Sequence, residues 1–188
     1  MSDWIVDRMR WLGLTVMVAV LGGLWIWVSA APAAATTDGR IPSPRQDFLA
    51  PEFSLDQLNG TARGLSVLRG QVVIINFWAS WCPPCRAEMP DLQQTYEAYQ
   101  DQGLEILAVN ATSQDSEAAA RAFAEEYQLS FPILLDRSGL VSNLYQTRAL
   151  PSTFFIDRQG VIQKVIVGGP MSATTLQTTV EALLQADG

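Results

Sequence analysis

The stretch that most constrains this chain is Gln71–Trp78, QVVIINFW, which runs directly into Ala79-Ser80-Trp81-Cys82-Pro83-Pro84-Cys85. A near-continuous apolar run, β-branched at four positions, suits a strand buried on both faces, as in the middle of a parallel sheet. A helical pattern follows in Met89, Leu92, Tyr96 and Tyr99, with Pro90 inside it as an expected kink. Cys82 therefore falls at a strand-to-helix junction, where the partial positive charge of a helix N-terminus favours thiolate over thiol. The thiolate is the form that attacks a disulfide. The Cys-x-x-Cys spacing lets Cys85 reach back and resolve a mixed disulfide formed at Cys82. Pro83 and Pro84 carry no N–H, so a thiolate at Cys82 loses two amide donors. A poorly stabilised thiolate makes the better reductant.

Other uses of the pair are weaker. A disulfide closing so small a loop removes only about 2 kcal/mol of chain entropy, against ~4.7 kcal/mol for a loop of 100 residues. Two thiolates in a chain with no histidine are two ligands short of a closed zinc site. The absence of histidine also excludes Ser-His-Asp and Cys-His catalysis, HExxH sites and histidine-ligated haem. No metal or cofactor site is visible. The net charge of -7 and the single lysine, Lys164, argue against nucleic acid as a partner. At 188 residues and 48% hydrophobic composition, the chain can bury one ordinary core and carry a modest appendage.

That appendage is N-terminal. Trp11–Val28 contains no charge and would span roughly 27 Å as a helix, about the thickness of a hydrocarbon core. Arg8 and Arg10 precede it, which favours a cytoplasmic N-terminus by the positive-inside tendency. The alternative is a signal peptide cleaved near Ala30–Ala35, although the run is longer than the roughly 7–15 residues of a signal core. Either way the remainder is exported to a compartment where disulfides persist. The expected organisation is an anchor or signal segment at 1–29, an Ala/Pro-rich tether at 30–47 and one domain at 48–188.

Within the domain, Phe53–Leu55 and Arg63–Val67 flank the turn signal Asn59-Gly60 and read as a hairpin. Leu104–Val109 reads as a second buried strand. Ser116–Leu129 reads as a helix with Ala119, Ala122, Phe123 and Tyr127 on its inner stripe. Ile133–Leu135 reads as a short strand and Ser138–Tyr145 as a short helix. Ser152–Ile156 and Val161–Val167 form a hairpin around Gly160, and Ser172 caps a last helix. Strands alternating with helices give an α/β layered sheet with helices on both faces.

Asn76–Pro90, NFWASWCPPCRAEMP, strongly resembles the thioredoxin superfamily, and more narrowly the TlpA/ResA/DsbE-like membrane-anchored thiol-disulfide oxidoreductases. A second shared signature is Ala149–Asp157, ALPSTFFID, and a third is an added strand–helix segment at about Ala108–Leu135. The resemblance covers about Leu49–Gln185. It implies a thioredoxin-like fold: a central mixed sheet with helices on both faces, an N-terminal hairpin and a strand–helix insertion, preceded by one transmembrane helix. It implies Cys82, Cys85 and Glu88 as catalytic residues, with Pro151 in a cis peptide bond facing the cysteines. It also implies that the backbone at Leu150 pairs with a bound segment like an added strand. Trp81, Pro83 and Pro84 complete the expected substrate surface.

Glu88 lies three residues after Cys85 and so shares its helix face. It reads as the acid that takes and returns the Cys85 proton, or else as a surface glutamate near a helix N-terminus. Asn76 stands where thioredoxin has a buried aspartate, which leaves Glu88 as the nearest replacement. The resemblance further implies protein disulfides as substrates, apocytochrome c among them, and a membrane thiol reductant of the DsbD/CcdA kind. The expected location is a bacterial inner membrane, with the domain, as a monomer, in the periplasm or a thylakoid lumen. The rival readings are a peroxiredoxin-like peroxidase, which needs Thr where this chain has Ala79, and a non-catalytic binding module.

Overall fold

The computed structural model describes residues 11, 15–22 and 41–186. Residues 15–22 are helical and exposed. Among the described residues no helix is long and apolar enough to cross a membrane, so the transmembrane helix expected over Trp11–Val28 is not found there. Residues 12–14 and 23–28 of that span lie outside the described residues, as do 30–40 of the tether.

The domain is organised around β3 (Val72–Trp78), in which every residue is buried. The reason is a sheet covered on both sides. Val72, Ile74 and Trp78 join one core cluster, while Val73, Ile75 and Phe77 join the other, following the two-residue alternation of a strand. Each such side chain stabilises the fold by about 1.5–3 kcal/mol through removal of apolar surface from water. β4 (Leu104–Asn110) lies parallel to β3, and β5 (Ile133–Leu135) lies parallel to β4. On the other side β6 (Ser152–Ile156) and β7 (Ile162–Val167) run antiparallel, giving the order β5-β4-β3-β6-β7. A separate antiparallel pair is formed by β1 (Ser54–Asp56) and β2 (Ala62–Gly64).

Helices α1 (Pro83–Tyr99), α2 (Glu117–Glu126) and α4 (Ala173–Gln185) pack on one face through Met89, Leu92, Phe123 and Val180. The short α3 (Leu140–Leu144) and the hairpin side cover the other face through Val141, Tyr145, Phe53 and Leu55. This is the mixed sheet with helices on both faces that the resemblance implies. α1 continues through Pro90 to Tyr99 without a break in the helix. Ser172 caps α4 by accepting the Thr175 N–H at 3.2 Å.

Three local expectations change. Arg63–Val67 is not all strand: pairing stops at Gly64, and Leu65–Leu68 forms a 3₁₀ turn. Leu65 and Leu68, three apart, both point inward on such a turn and leave Val67 exposed. In α2 the buried positions are Ala120 and Phe123, while Ala122 is exposed. Ser116 caps α2 through the Ala119 N–H, and that start sets which residues face the sheet. Residues 41–47, grouped by composition with the tether, are held to the domain. Asp47 N–H donates to the Ile162 carbonyl at 2.8 Å and Ser43 N–H to the Leu49 carbonyl at 3.0 Å. The outer strand β7 offers unpaired backbone groups, and this segment uses them.

Tyr145 is buried against Phe77, Phe154 and Phe53. Its hydroxyl also donates to the Pro51 carbonyl at 2.7 Å, tying α3's end to the segment before β1. Burial pushes the phenol far above its ordinary pKa, so it stays a donor. Tyr145→Phe leaves that carbonyl unpaired and should lower stability by about 1–3 kcal/mol, read from urea denaturation.

Candidate active site

β3 ends at Trp78, and the chain turns through Ala79–Trp81 into α1, so Cys82 becomes the N-cap residue. Cys82 and Cys85 are joined in a disulfide. The Cys82 sulfur accepts one hydrogen bond, from the Cys85 N–H at 3.3 Å, while Pro83 and Pro84 occupy the first helical positions and donate nothing. The two sulfurs are not equivalent. Cys82 is 2% exposed and lines a groove of about 340 Å³, whereas Cys85 is 0% exposed and does not line it. Only Cys82 offers an edge to an incoming sulfur.

Trp81, Pro83, Pro84 and Leu150, all expected at the substrate surface, line this groove with Cys82. Trp81 is 56% exposed, and its indole N–H donates to the Gln114 carbonyl at 2.9 Å. An apolar ring is thereby fixed at the rim with its polar end already satisfied. Leu150 makes no backbone hydrogen bond among the described residues, which leaves an N–H and a carbonyl free for an added strand. The Leu150–Pro151 peptide is cis. Pro151 is buried and does not line the groove; its ring lies close to Gly169.

Glu88 is not a surface glutamate. It is 2% exposed, one helical turn beyond Cys85. Asn76 donates to one carboxyl oxygen at 2.8 Å and the Met171 N–H to the other at 3.1 Å. Burial drives its pKa above the ordinary carboxylate range. The bonds from Met171 and Asn76 oppose that shift without cancelling it, and the nearby charge of Asp91 adds to it. The second Asn76 amide hydrogen bonds Thr153 at 3.0 Å, while Asn76 Oδ1 is buried with no partner. A carboxyl whose hold on a proton is strengthened by burial, fixed by two donors, is a group that can take and release a proton with few rearrangements.

Several contributors were not legible beforehand. Asp115 accepts from Ser80 N–H and Oγ–H, Asn110 Nδ2 and Ser116 N–H at 2.7–2.9 Å, pinning the turn before Cys82 to the strand–helix insertion. Burial alone would raise its pKa, but these donors outweigh burial and hold it below the ordinary value. Gly169 sits where Glu88 and Pro151 converge, followed by a second cis proline, Pro170. A Cβ there would meet Pro151 Cγ at 2.8 Å and Glu88 Oε2 at 3.2 Å. Gly169→Ala should lower stability by about 1–3 kcal/mol through overpacking and slow disulfide exchange, read by thermal denaturation and a disulfide-reduction assay. A second hollow of about 340 Å³, lined by Arg63, Tyr96, Glu105 and Phe131, contains neither cysteine. Among the described residues no cluster of three or more Cys, Asp or Glu could hold a metal ion.

The chain matches the AhpC/TSA family over residues 48–165. It is 44% identical over 119 residues to the thiol-disulfide oxidoreductase ResA of Geobacillus thermodenitrificans (strain NG80-2), covering 63% of this chain and 67% of that protein. It is 45% identical over 120 residues to the thioredoxin-like protein YneN of Bacillus subtilis (strain 168), covering 63% and 69%. Among solved structures, a putative thiol:disulfide interchange protein DsbE from Chlorobium tepidum superposes with a TM-score of 0.69 at 32% identity, covering 74% of this chain and 98% of that one. With a bridged cysteine pair at a helix start, only one sulfur of which borders a groove, the chain belongs to the AhpC/TSA family and is one of the ResA- and DsbE-like thiol-disulfide oxidoreductases.

Proposed function

We propose that this oxidoreductase works in the reducing direction on protein disulfides, at the outer face of a bacterial inner membrane, tethered by Trp11–Val28. The observation that carries the direction is the single amide donor to Cys82, because both prolines withhold theirs. A reduced pair so weakly stabilised gives up its electrons readily.

The cycle starts from the dithiol. The Cys82 thiolate attacks a substrate sulfur; a Cys82–substrate bond forms, the substrate disulfide breaks, and its second sulfur leaves as a thiolate that takes a proton. Glu88 accepts the Cys85 proton. The Cys85 thiolate then attacks Cys82, forming the Cys82–Cys85 bond and expelling the first substrate thiolate, which takes the proton from Glu88. Two electrons pass from chain to substrate, and a membrane dithiol of the DsbD/CcdA kind restores the pair. Apocytochrome c, which must present free thiols before haem attachment, is the proposed substrate. The export expected from the N-terminal segment supports this setting, and membrane fractionation of the full chain tests it.

The direction is tested by equilibrating the full chain with glutathione or dithiothreitol buffers. A potential near or below about -250 mV is the expected result, and one near -120 mV would make it an oxidant. The peroxidase reading finds a buried alanine, Ala79, where it requires a threonine hydroxyl. The same preparation should consume no peroxide.

A further inference from the structure

We propose that Arg148 and Thr147 form a carboxylate-binding subsite in the groove beside Cys82, so that the chain prefers protein disulfides whose reacting cysteine is flanked by Asp or Glu. This rests on the reduction chemistry above and names the substrate class of that same site.

Among the described residues, Arg148 is the only formally charged one lining the groove. It makes no ion pair among the described residues, although acids outnumber bases 19 to 12 in this chain. Arg63, Arg69, Arg86, Arg121 and Arg137 each have a carboxylate partner. Arg148 has been left with an open guanidinium at the one place where a substrate must lie. Thr147 lines the same groove, and its hydroxyl is buried with no partner. Most buried polar groups are paired, so an unfilled donor beside a free guanidinium marks a place for an acceptor that arrives with a ligand. A carboxylate fits both: a planar fork from arginine and one O–H from threonine.

The position suits a flanking residue. Thr147 and Arg148 lead through Ala149, whose carbonyl accepts from the Ser152 hydroxyl, into Leu150, whose free backbone N–H and carbonyl would hold an extended segment. Side chains of such a segment alternate along it, which sets one neighbour of the bound cysteine toward this wall. The rest of the groove wall is largely apolar, with Pro83, Pro84, Ala111 and Ala149, and no acid on it repels an incoming carboxylate.

The test uses the full chain, reduced and freed of reductant. The probes are three disulfide-bridged peptides, identical except for Glu, Gln or Lys next to the reacting cysteine. Second-order rates should fall in the order Glu, Gln, Lys, with a Glu-to-Lys ratio of about five to ten at low ionic strength that shrinks with added salt. Arg148→Glu should reverse the order, and Thr147→Val should narrow the Glu-to-Gln ratio. A residue that only supports the fold would move all three rates together and could not reverse them. A flat order in the natural chain, or the same order surviving in Arg148→Glu, overturns the proposal. So does selective reduction of oxidised glutathione over every peptide, which would make the subsite one for a small acidic thiol. Equal reduction of the three peptides removes the subsite alone, whereas reduction of none of them removes the oxidoreductase reading itself.

Discussion

A Cys85→Ala chain is expected to lose catalytic turnover by on the order of a thousandfold or more, and to accumulate instead as mixed disulfides through Cys82. The reason is the unequal burial of the two sulfurs. Cys82 borders the groove and can still attack, while the sulfur that expels the product is gone. Non-reducing gels and mass spectrometry of the captured species read the result directly. Cys82→Ala should remove turnover equally but capture nothing, because Cys85 is enclosed. If the Cys82→Ala chain captured substrates as well as Cys85→Ala does, the assignment of attacking and resolving roles would be wrong.

Glu88→Gln is expected to slow product release by about a hundredfold near neutral pH, with little change in the first attack by Cys82. The glutamine can fill the same space but cannot take the Cys85 proton. In the natural chain the release rate should rise with pH through a pKa above the ordinary glutamate range, and this limb should vanish in the variant. Single-turnover kinetics across pH separate the two steps. Stability moves in the opposite sense. Below the ordinary glutamate pKa both folded and unfolded chains carry the proton, and the full stability is present. As pH rises, the unfolded chain ionises first, because burial raises the folded value. Stability therefore falls between the ordinary and the raised pKa. The natural chain should lose thermal stability relative to Glu88→Gln across that window, and a constant difference at all pH values would contradict the raised pKa.

The sequence made β3 and the Cys82–Cys85 pair plain for a physical reason. A strand covered on both faces leaves an unbroken apolar run, and a chemistry that needs two thiols at fixed spacing leaves them adjacent in the chain. The hairpin of β6 and β7 and the cap at Ser172 were legible on the same local terms. Features that depend on distant segments meeting were not. The inner face of α2 is legible only in part: Phe123 and Tyr127 pack inward as their spacing predicts, but Ala120 rather than Ala119 and Ala122 is buried with them, because a run of alanines carries no signal of which one meets the sheet. Asp115 looks like any loop acid until Ser80, 35 residues earlier, is brought to it. Gly169-Pro170 reads as an ordinary turn, and only the convergence of Pro151 and Glu88 reveals why a side chain is excluded there. Glu88 itself was ambiguous in sequence. Its enclosure by Asn76 and Met171 is a property of the assembled layers.

The enclosure of Cys85 also governs the return half of the cycle. In the oxidised chain, whatever donates electrons must approach the bridge from the same side as the molecule being reduced, since the other sulfur has no opening. The two partners cannot be bound at once. Steady-state velocities should then give parallel double-reciprocal lines when both are varied, and an excess of either should inhibit the other's half-reaction.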